Sequence, residues 1–457
     1  MRRIATLLIL AFLCAAPLGC GGPANPPATG SAPPLWVTNP GASASPKPPT
    51  AAKPRAKGPF PGPRIDRVTR EPAIRVRVRS NVDAIEIVGR GAIRVAGSTK
   101  PTDKSYRYAT PARVAREGEA WVIRDARGQT VRWPLARLLV EDNGGGVLDL
   151  GETKYPRRLV LTPRTDKDQR ETGRFDAVNH VPLETYLAGV IEKELYANWP
   201  PETFRAQAVA ARSYALWEMT IARHRHYDLE STTASQAYIG NASNPRAVEA
   251  VAHTRGQCLA YAGRVVPAFY SSSAGGLGQD AVLAFPNRVE DIPPLRGRVH
   301  GGWDQESPRY RWGPVTRNQA QLARRIAAWG RDRHHPVGAL RSISHVAVAA
   351  RNGVGRPAAW AVTDTSGKRY VIACEGFRNA CNHTVGGKLP VSKQQRLYSS
   401  HFVVSVGGGS VRFSEGRGYG HGVGMSQWGA RTMAKAGHPY RAILEFYYPD
   451  AAVQKLY

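Results

Sequence analysis

The sequence predicts an α+β protein: a mixed, β-rich domain built around a buried alanine-rich helix. Three observations carry that expectation. From Ala73 apolar and basic residues alternate, with Ile74, Val76 and Val78 on one face and Arg75, Arg77 and Arg79 on the other, the period of a half-buried strand. After the turn-like YANWPP, Pro201 suits the first helical position and Glu202 the positive end of the helix dipole, while Phe204, Ala208, Ala211 and Ala215 fall on one stripe. Strands and helices then follow in irregular order, unlike the strict alternation of a parallel βαβ fold.

Taken in chain order, Arg2 and Arg3 precede an apolar run over residues 4–16, too short to span a membrane, so residues 1–20 are read as an export signal. Cys20, flanked by Leu18, Gly19, Gly21 and Gly22, is the expected lipidation site, which would tie the protein to the membrane of the cell envelope. Residues 21–70 are dominated by Pro, Ala, Ser and Lys and read as a disordered tether, with residues 71–457 forming the folded domain. Short strands are expected at residues 85–87, 93–95, 121–123, 147–150 and 159–161. A helix is expected over 245–252, strands at 257–261 and 265–270, and an inserted segment over 280–340 that contains a helix at 318–329. Strands resume at 342–349 and 402–406, and a helix over 440–447 closes the chain.

The alanines at 206, 208, 210 and 211 imply close packing on more than one face, so Gln207, Arg212 and Tyr214 must either pair internally or face a cavity lined with hydrogen-bonding groups. Residues 181–216 (VPLETYLAGVIEKELYANWPPETFRAQAVAARSYAL) resemble the signature of the stage II sporulation protein D family, which includes the amidase-enhancer proteins called LytB. GRGYGHGVGMSQWGA at 416–430 is similar to that family's glycine-rich C-terminal block, and YSSSAGG at 270–276 to the serine and glycine segment between them. The resemblance implies a SpoIID-like fold with a substrate groove and an amidase-enhancer core at about residues 170–280. It also implies an exported peptidoglycan-remodelling function, in enzymes of the family the lytic transglycosylase cleavage of the MurNAc-GlcNAc backbone to a 1,6-anhydro product.

The same resemblance places the catalytic acid on Glu194, with Glu192 and Glu184 as rivals; Glu192 shares its side if the segment is extended. A single carboxylate suffices because the sugar's own C6 hydroxyl is the nucleophile, whereas an ordinary glycosidase needs two. Such an acid must begin protonated, which calls for partial burial beside residues such as Val190 and Leu195. The glycine block implies a backbone pressed against another segment or a sugar. Substrate binding is assigned to Gln207, Arg212, Tyr214, Gln236, Tyr238, Tyr270, Ser271, Ser273, Gly275, Gly276, Tyr419, His421, Ser426 and Gln427, with Tyr419 and Trp428 offering ring faces. No G-x-S-x-G elbow surrounds the serines, which argues against a serine nucleophile. After Gly276 the chain reads LGQD where the family commonly has a Thr-Glu pair, and Asp280 is the nearest replacement.

No cofactor is expected. Some family members hold zinc in the segment matching residues 227–240, but that segment contains no Cys or His here. Beyond Cys14 and Cys20 only Cys258, Cys374 and Cys381 remain; a Cys374 to Cys381 disulfide is expected, with a metal set including His383 as the competing reading. The formal charge of +28 would suggest nucleic acid in a cytoplasmic protein; export redirects it to the polyanions of the wall, and no nucleic-acid partner is expected. The expected partners are peptidoglycan glycan strands, with a cell-wall amidase as the partner if the protein is a noncatalytic activator.

Overall fold

The alternation along Ala73–Val82 buries Ile74, Val76 and Val78, but its arginine face is not left to solvent. Arg75 pairs with Asp228 at 2.6 Å, and Arg77 pairs with both Asp176 and Glu230. In the computed structural model, which describes residues 62–97, 104–166, 168, 170–233, 235–386 and 390–457, this strand lies second from the edge of a seven-stranded sheet. The order is Leu229–Glu230, Ala73–Val82, Glu171–Pro182, Arg158–Thr165, Leu138–Asp142, Ala92–Ala96, Ser105–Ala109. Leu229–Glu230 pairs parallel with its neighbour; the other pairs are antiparallel, with Ile74 opposite Val181 and Leu159 opposite Asn179. A four-stranded antiparallel sheet of Ala84–Ile87, Ala112–Glu117, Ala120–Arg124 and Thr130–Trp133 accompanies it.

The strand Glu171–Pro182 feeds directly into helix α1, Leu183–Glu194. Its Leu183, Tyr186, Leu187, Val190 and Ile191 recur at helical spacing and are all buried, so the extended conformation considered for Glu192 and Glu194 is not adopted. Helix α2, Pro201–Ile221, follows; residues 206–218 are buried all round, as the alanine run requires. It packs against α1, against α3 (Pro245–His253) and against the strand Gln257–Tyr261.

The strand expected over 265–270 is interrupted, leaving Arg264–Val265 and Tyr270–Ser271, because Pro267 between them has no N–H to contribute to a ladder. The inserted segment contributes the short α4, Ala281–Ala284, and α5, Gln319–Asp332, whose Asn318 side chain caps it by accepting from Gln321 N–H at 2.9 Å. Helix α6, Cys374–Cys381, leads through the strands Val403–Gly407 and Ser410–Ser414 to α7, Gln427–Lys435, and α8, Tyr440–Tyr447; both α7 and α8 pack on α2.

Two expectations are corrected here. Cys374 and Cys381 are free, buried thiols at the first and last positions of α6. A rise of about 1.5 Å per residue separates them by roughly 10 Å, beyond the reach of a disulfide. The same separation keeps Cys374 and Cys381 from sharing one metal ion with His383, whose Nε2 lies 3.0 Å from Asp332. The tether, placed at 21–70, ends earlier: Val265 N–H donates to Pro63 O, and Ile65 N–H to Gly263 O, each at 3.1 Å. The export signal, Cys20 and residues 21–61 lie outside the described residues.

Candidate functional site

Glu194 is the last residue of α1, where the helix gives way to a turn and leaves the side chain at the wall of a cleft. Its Oε1 accepts from Ala237 N–H and its Oε2 from Gln427 Nε2, both at 3.1 Å. Burial raises its pKa above the usual carboxylate value, opposed by the Gln427 bond, the Ala237 N–H and the charge of Lys193. The carboxyl is therefore only half-exposed and inclined to keep its proton, yet is equipped with donors that receive it once the proton has left.

Gln427 is delivered by the glycine block. Met425–Ser426 pairs in parallel with Tyr270–Ser271, and Ser426 caps α7 by accepting from Gly429 N–H at 3.3 Å. Gly275 and Gly418 face one another with φ of +69° and +81°; a Cβ on either would stand 2.6 Å from the other segment's backbone. The glycines thus let two chain segments meet, and between them Asp304 Oδ2 accepts from Ser273 Oγ at 2.9 Å, Ala274 N–H at 2.7 Å, Gly275 N–H at 2.9 Å and Ser426 Oγ at 3.3 Å.

The cleft encloses about 570 Å³. Tyr270, Ser271, Tyr419, His421 and Gln427 line it with Glu194, and Glu194 is the single acidic residue among the described lining residues. His421 is held neutral, its pKa pushed down to about 4 chiefly by burial. Its Nδ1 accepts from Val423 N–H at 3.0 Å, so Nε2 carries the proton as a donor. On one rim Trp428 packs on Trp199 at 5.1 Å and on Tyr196 at 6.1 Å between ring centres; Tyr196 is 62% exposed. Apolar faces there suit the C–H face of a sugar ring.

Several residues assigned to substrate have other work. Arg212 is 0% exposed and grips Glu184 through two hydrogen bonds, 2.9 Å from Nε and 2.5 Å from Nη2; Glu184 Oε1 also accepts from Gly256 N–H and Tyr457 OH. Gln207 is sealed in the interior and lines neither the cleft nor the cavity beside it. Tyr238 donates to Asn179 Oδ1 at 2.9 Å, and Gln236 links Tyr186 OH, Ala211 O and Tyr270 OH behind the cleft. Ser273, Gly275, Gly276 and Ser426 shape the turn around Asp304 rather than the cleft wall. Tyr214 lines the adjoining cavity, bonded to Glu218 and Arg288.

The rivals of Glu194 are also accounted for. Glu184 is held by Arg212, and Glu192 accepts from Ser243 N–H, Ser243 Oγ and Asn244 N–H. Asp280 accepts from Gly297 N–H and lines neither cavity, so the acid serving the serine block is Asp304. No local pattern marks Asp304, since it arrives from the inserted segment; Tyr196 and Trp199 carried a weak signal as aromatics beside Glu194.

Residues 171–261 match the family model described as Stage II sporulation protein. The chain is 28% identical over 288 residues to the Amidase enhancer of Bacillus subtilis, a match covering 58% of this chain and 40% of that protein's length. It is 26% identical over 295 residues to Stage II sporulation protein D of Bacillus subtilis, covering 61% of this chain and 76% of the relative. An uncharacterized protein of Brachyspira hyodysenteriae is 28% identical over 302 residues, 65% of this chain and 72% of its own. Residues 171–261 are thus similar to the SpoIID domain, and the chain is similar over more than half its length to stage II sporulation protein D and the amidase enhancer.

Proposed function

We propose that this protein remodels the cell wall by cleaving peptidoglycan glycan strands as a lytic transglycosylase, with Glu194 as acid and then base. The observation that carries this reading is a half-buried carboxyl with raised pKa, the single acid among the described residues of its cleft, bonded at both oxygens by Gln427 and Ala237. Glu194 gives its proton to the glycosidic oxygen as the C1–O4 bond breaks. The C6 hydroxyl of the muramyl residue closes on C1, and its proton returns to the carboxylate, so no water is consumed and a 1,6-anhydro end forms. The Gln427 and Ala237 donors stabilise the anion between the two transfers.

The test is purified protein incubated with glycan strands, read by mass spectrometry for 1,6-anhydromuramic ends, beside Glu194→Gln. The variant should lose the product completely while its Tm is unchanged or slightly raised, because an amide no longer exposes a carboxylate to burial. Anhydro ends at wild-type yield from Glu194→Gln would refute the assignment. Export through residues 1–20 and anchoring through Cys20 belong to the same reading; a palmitate-analogue label that survives Cys20→Ser would remove the anchor from it.

The name of one relative, Amidase enhancer, favours a second reading: a noncatalytic glycan-binding activator of a cell-wall amidase. Folded wild type that binds glycan without cutting it, and Glu194→Gln that still stimulates amidase turnover, would select that reading.

A further inference from the structure

Beside the Glu194 cleft lies a second cavity of about 730 Å³, and the two are continuous: Thr233, Ser235, Tyr270, Arg378, Arg396 and His421 line both. Four guanidinium groups face the second cavity, from Arg288, Arg333, Arg378 and Arg396. Two are already neutralised. Arg288 pairs with Glu218 and bonds Tyr214 OH, while Arg378 holds Glu375, the one acid among the cavity's described lining residues, at 2.5 Å. Among the described residues the other two have no carboxylate partner. Arg333 lies over the Trp329 ring at 5.2 Å and makes no side-chain hydrogen bond among the described residues, and neither does Arg396.

Exposed arginines on a convex surface need no partner beyond water. These two instead converge on a concave cavity that continues the cleft, where like charges concentrate the field and attract an anion. Their planar forks match a carboxylate. Both residues lie outside the family-matched region 171–261, and Arg333 comes from the inserted segment.

We propose that this cavity is a carboxylate-binding subsite, in which Arg333 and Arg396 pair with acidic groups carried by the glycan that occupies the Glu194 cleft. The inference rests on the glycan reading above. Two sources supply the same chemistry: the lactyl carboxylate of a muramyl residue without its stem, and the carboxylates of a stem peptide where one is attached. A bound acid compensates the surplus charge and fixes the strand's register over Glu194.

Binding is measured by calorimetry on full-length protein carrying Glu194→Gln, which leaves the glycan uncut. The probes are stem-free oligomers, the same oligomers with their carboxyls reduced to alcohols, and stem-bearing oligomers. Acidic oligomers should bind on the order of tenfold tighter than reduced ones at low salt, the sum of two modest ion pairs, and the advantage should shrink at high salt. Adding R333Q and R396Q should erase the advantage while leaving affinity for the reduced oligomer unchanged. Arginine dependence seen only with stem-free strands identifies the lactyl group; dependence persisting on stem-bearing strands identifies the stem. Equal affinity for acidic and reduced oligomers, or an advantage that survives the double substitution, overturns the subsite. The anhydro assay separates the two claims: cleavage without acid preference defeats only the subsite, and acid preference without cleavage defeats only the transglycosylase reading.

Discussion

At the scale of single residues, Glu194 is shaped by opposed influences: burial favours its protonated form, and the Gln427 and Ala237 donors favour its anion. Removing one donor should therefore move its titration in a known direction. Gln427→Leu takes a hydrogen bond from the carboxylate, so ionisation becomes harder and the pKa rises. On the transglycosylase reading Glu194 works as the acid only while protonated, so the alkaline limb of the activity profile should shift to higher pH, with a fall in kcat as the carboxyl loses its anchor. A limb that moves to lower pH, or does not move, would show that Glu194 is not the titrating acid. The contact between Glu194 and Gln427 joins two blocks that stand out in the sequence only through their resemblance to a family. Arg212 sits in the same block as Glu194, and of the two outcomes open to it, an internal pair or a cavity wall, it takes the internal pair. Residue type cannot distinguish an arginine that binds substrate from one that neutralises a buried carboxylate, because the partner Glu184 is 28 positions away and recognisable only after α1 and α2 have packed.

Among elements, the strands and the alanine-rich helix could be read from periodicity, and α5 and α8 fell close to their expected bounds. Helix α1 was not among the expected elements, although its apolar positions recur at helical spacing; Glu192 and Glu194 would share a side only in an extended segment. Its recognition changes the chemistry: as neighbours on a helix, Glu192 and Glu194 point in different directions, one toward α3's leading residues and the other into the cleft. The Glu184 and Arg212 pair joins α1 to α2, and Arg212 Nη1 also donates to Gln257 O at 3.0 Å, tying both helices to the next strand. Arg212→Leu leaves Glu184 buried without its cation, a loss of about 3–5 kcal/mol. Urea unfolding should show that drop, and any activity that remains should have an ordinary KM, since the residue does not touch the cleft. A stable Arg212→Leu protein with a raised KM would return Arg212 to the substrate.

Over the whole molecule, histidine burial sets how the fold responds to acid. Burial, the leading cause in each case, lowers the pKa of His180, His300 and His421 from 6.5 to about 4, and that of His401 to about 3. Nearby arginines add to the effect, for example Arg158 at His180 and Arg356 at His401. In the unfolded chain these imidazoles take up protons near their ordinary pKa, about 6.5, whereas the folded protein resists until about pH 4. Between those values the unfolded state binds more protons, so stability is full above pH 6.5 and declines as pH falls toward 4. Each proton of difference contributes about 1.4 kcal/mol per pH unit, and several histidines act together on a chain that already carries +28. The carboxylates act lower down: Asp176 is buried, which alone would raise its pKa, but His226, the Asn81 N–H, Arg77 and Arg164 hold it well below 3.8, so its contribution is lost only below that value. Urea midpoints measured across this range should fall in two stages, the first between pH 6.5 and 4. Replacing His300, whose side chain is fully buried, with Gln should make the first stage shallower and leave the second in place. A midpoint that stays flat from pH 6.5 to 4 would mean that these histidines are solvated and protonate in the native state, and the cleft would then meet its substrate with a charged His421.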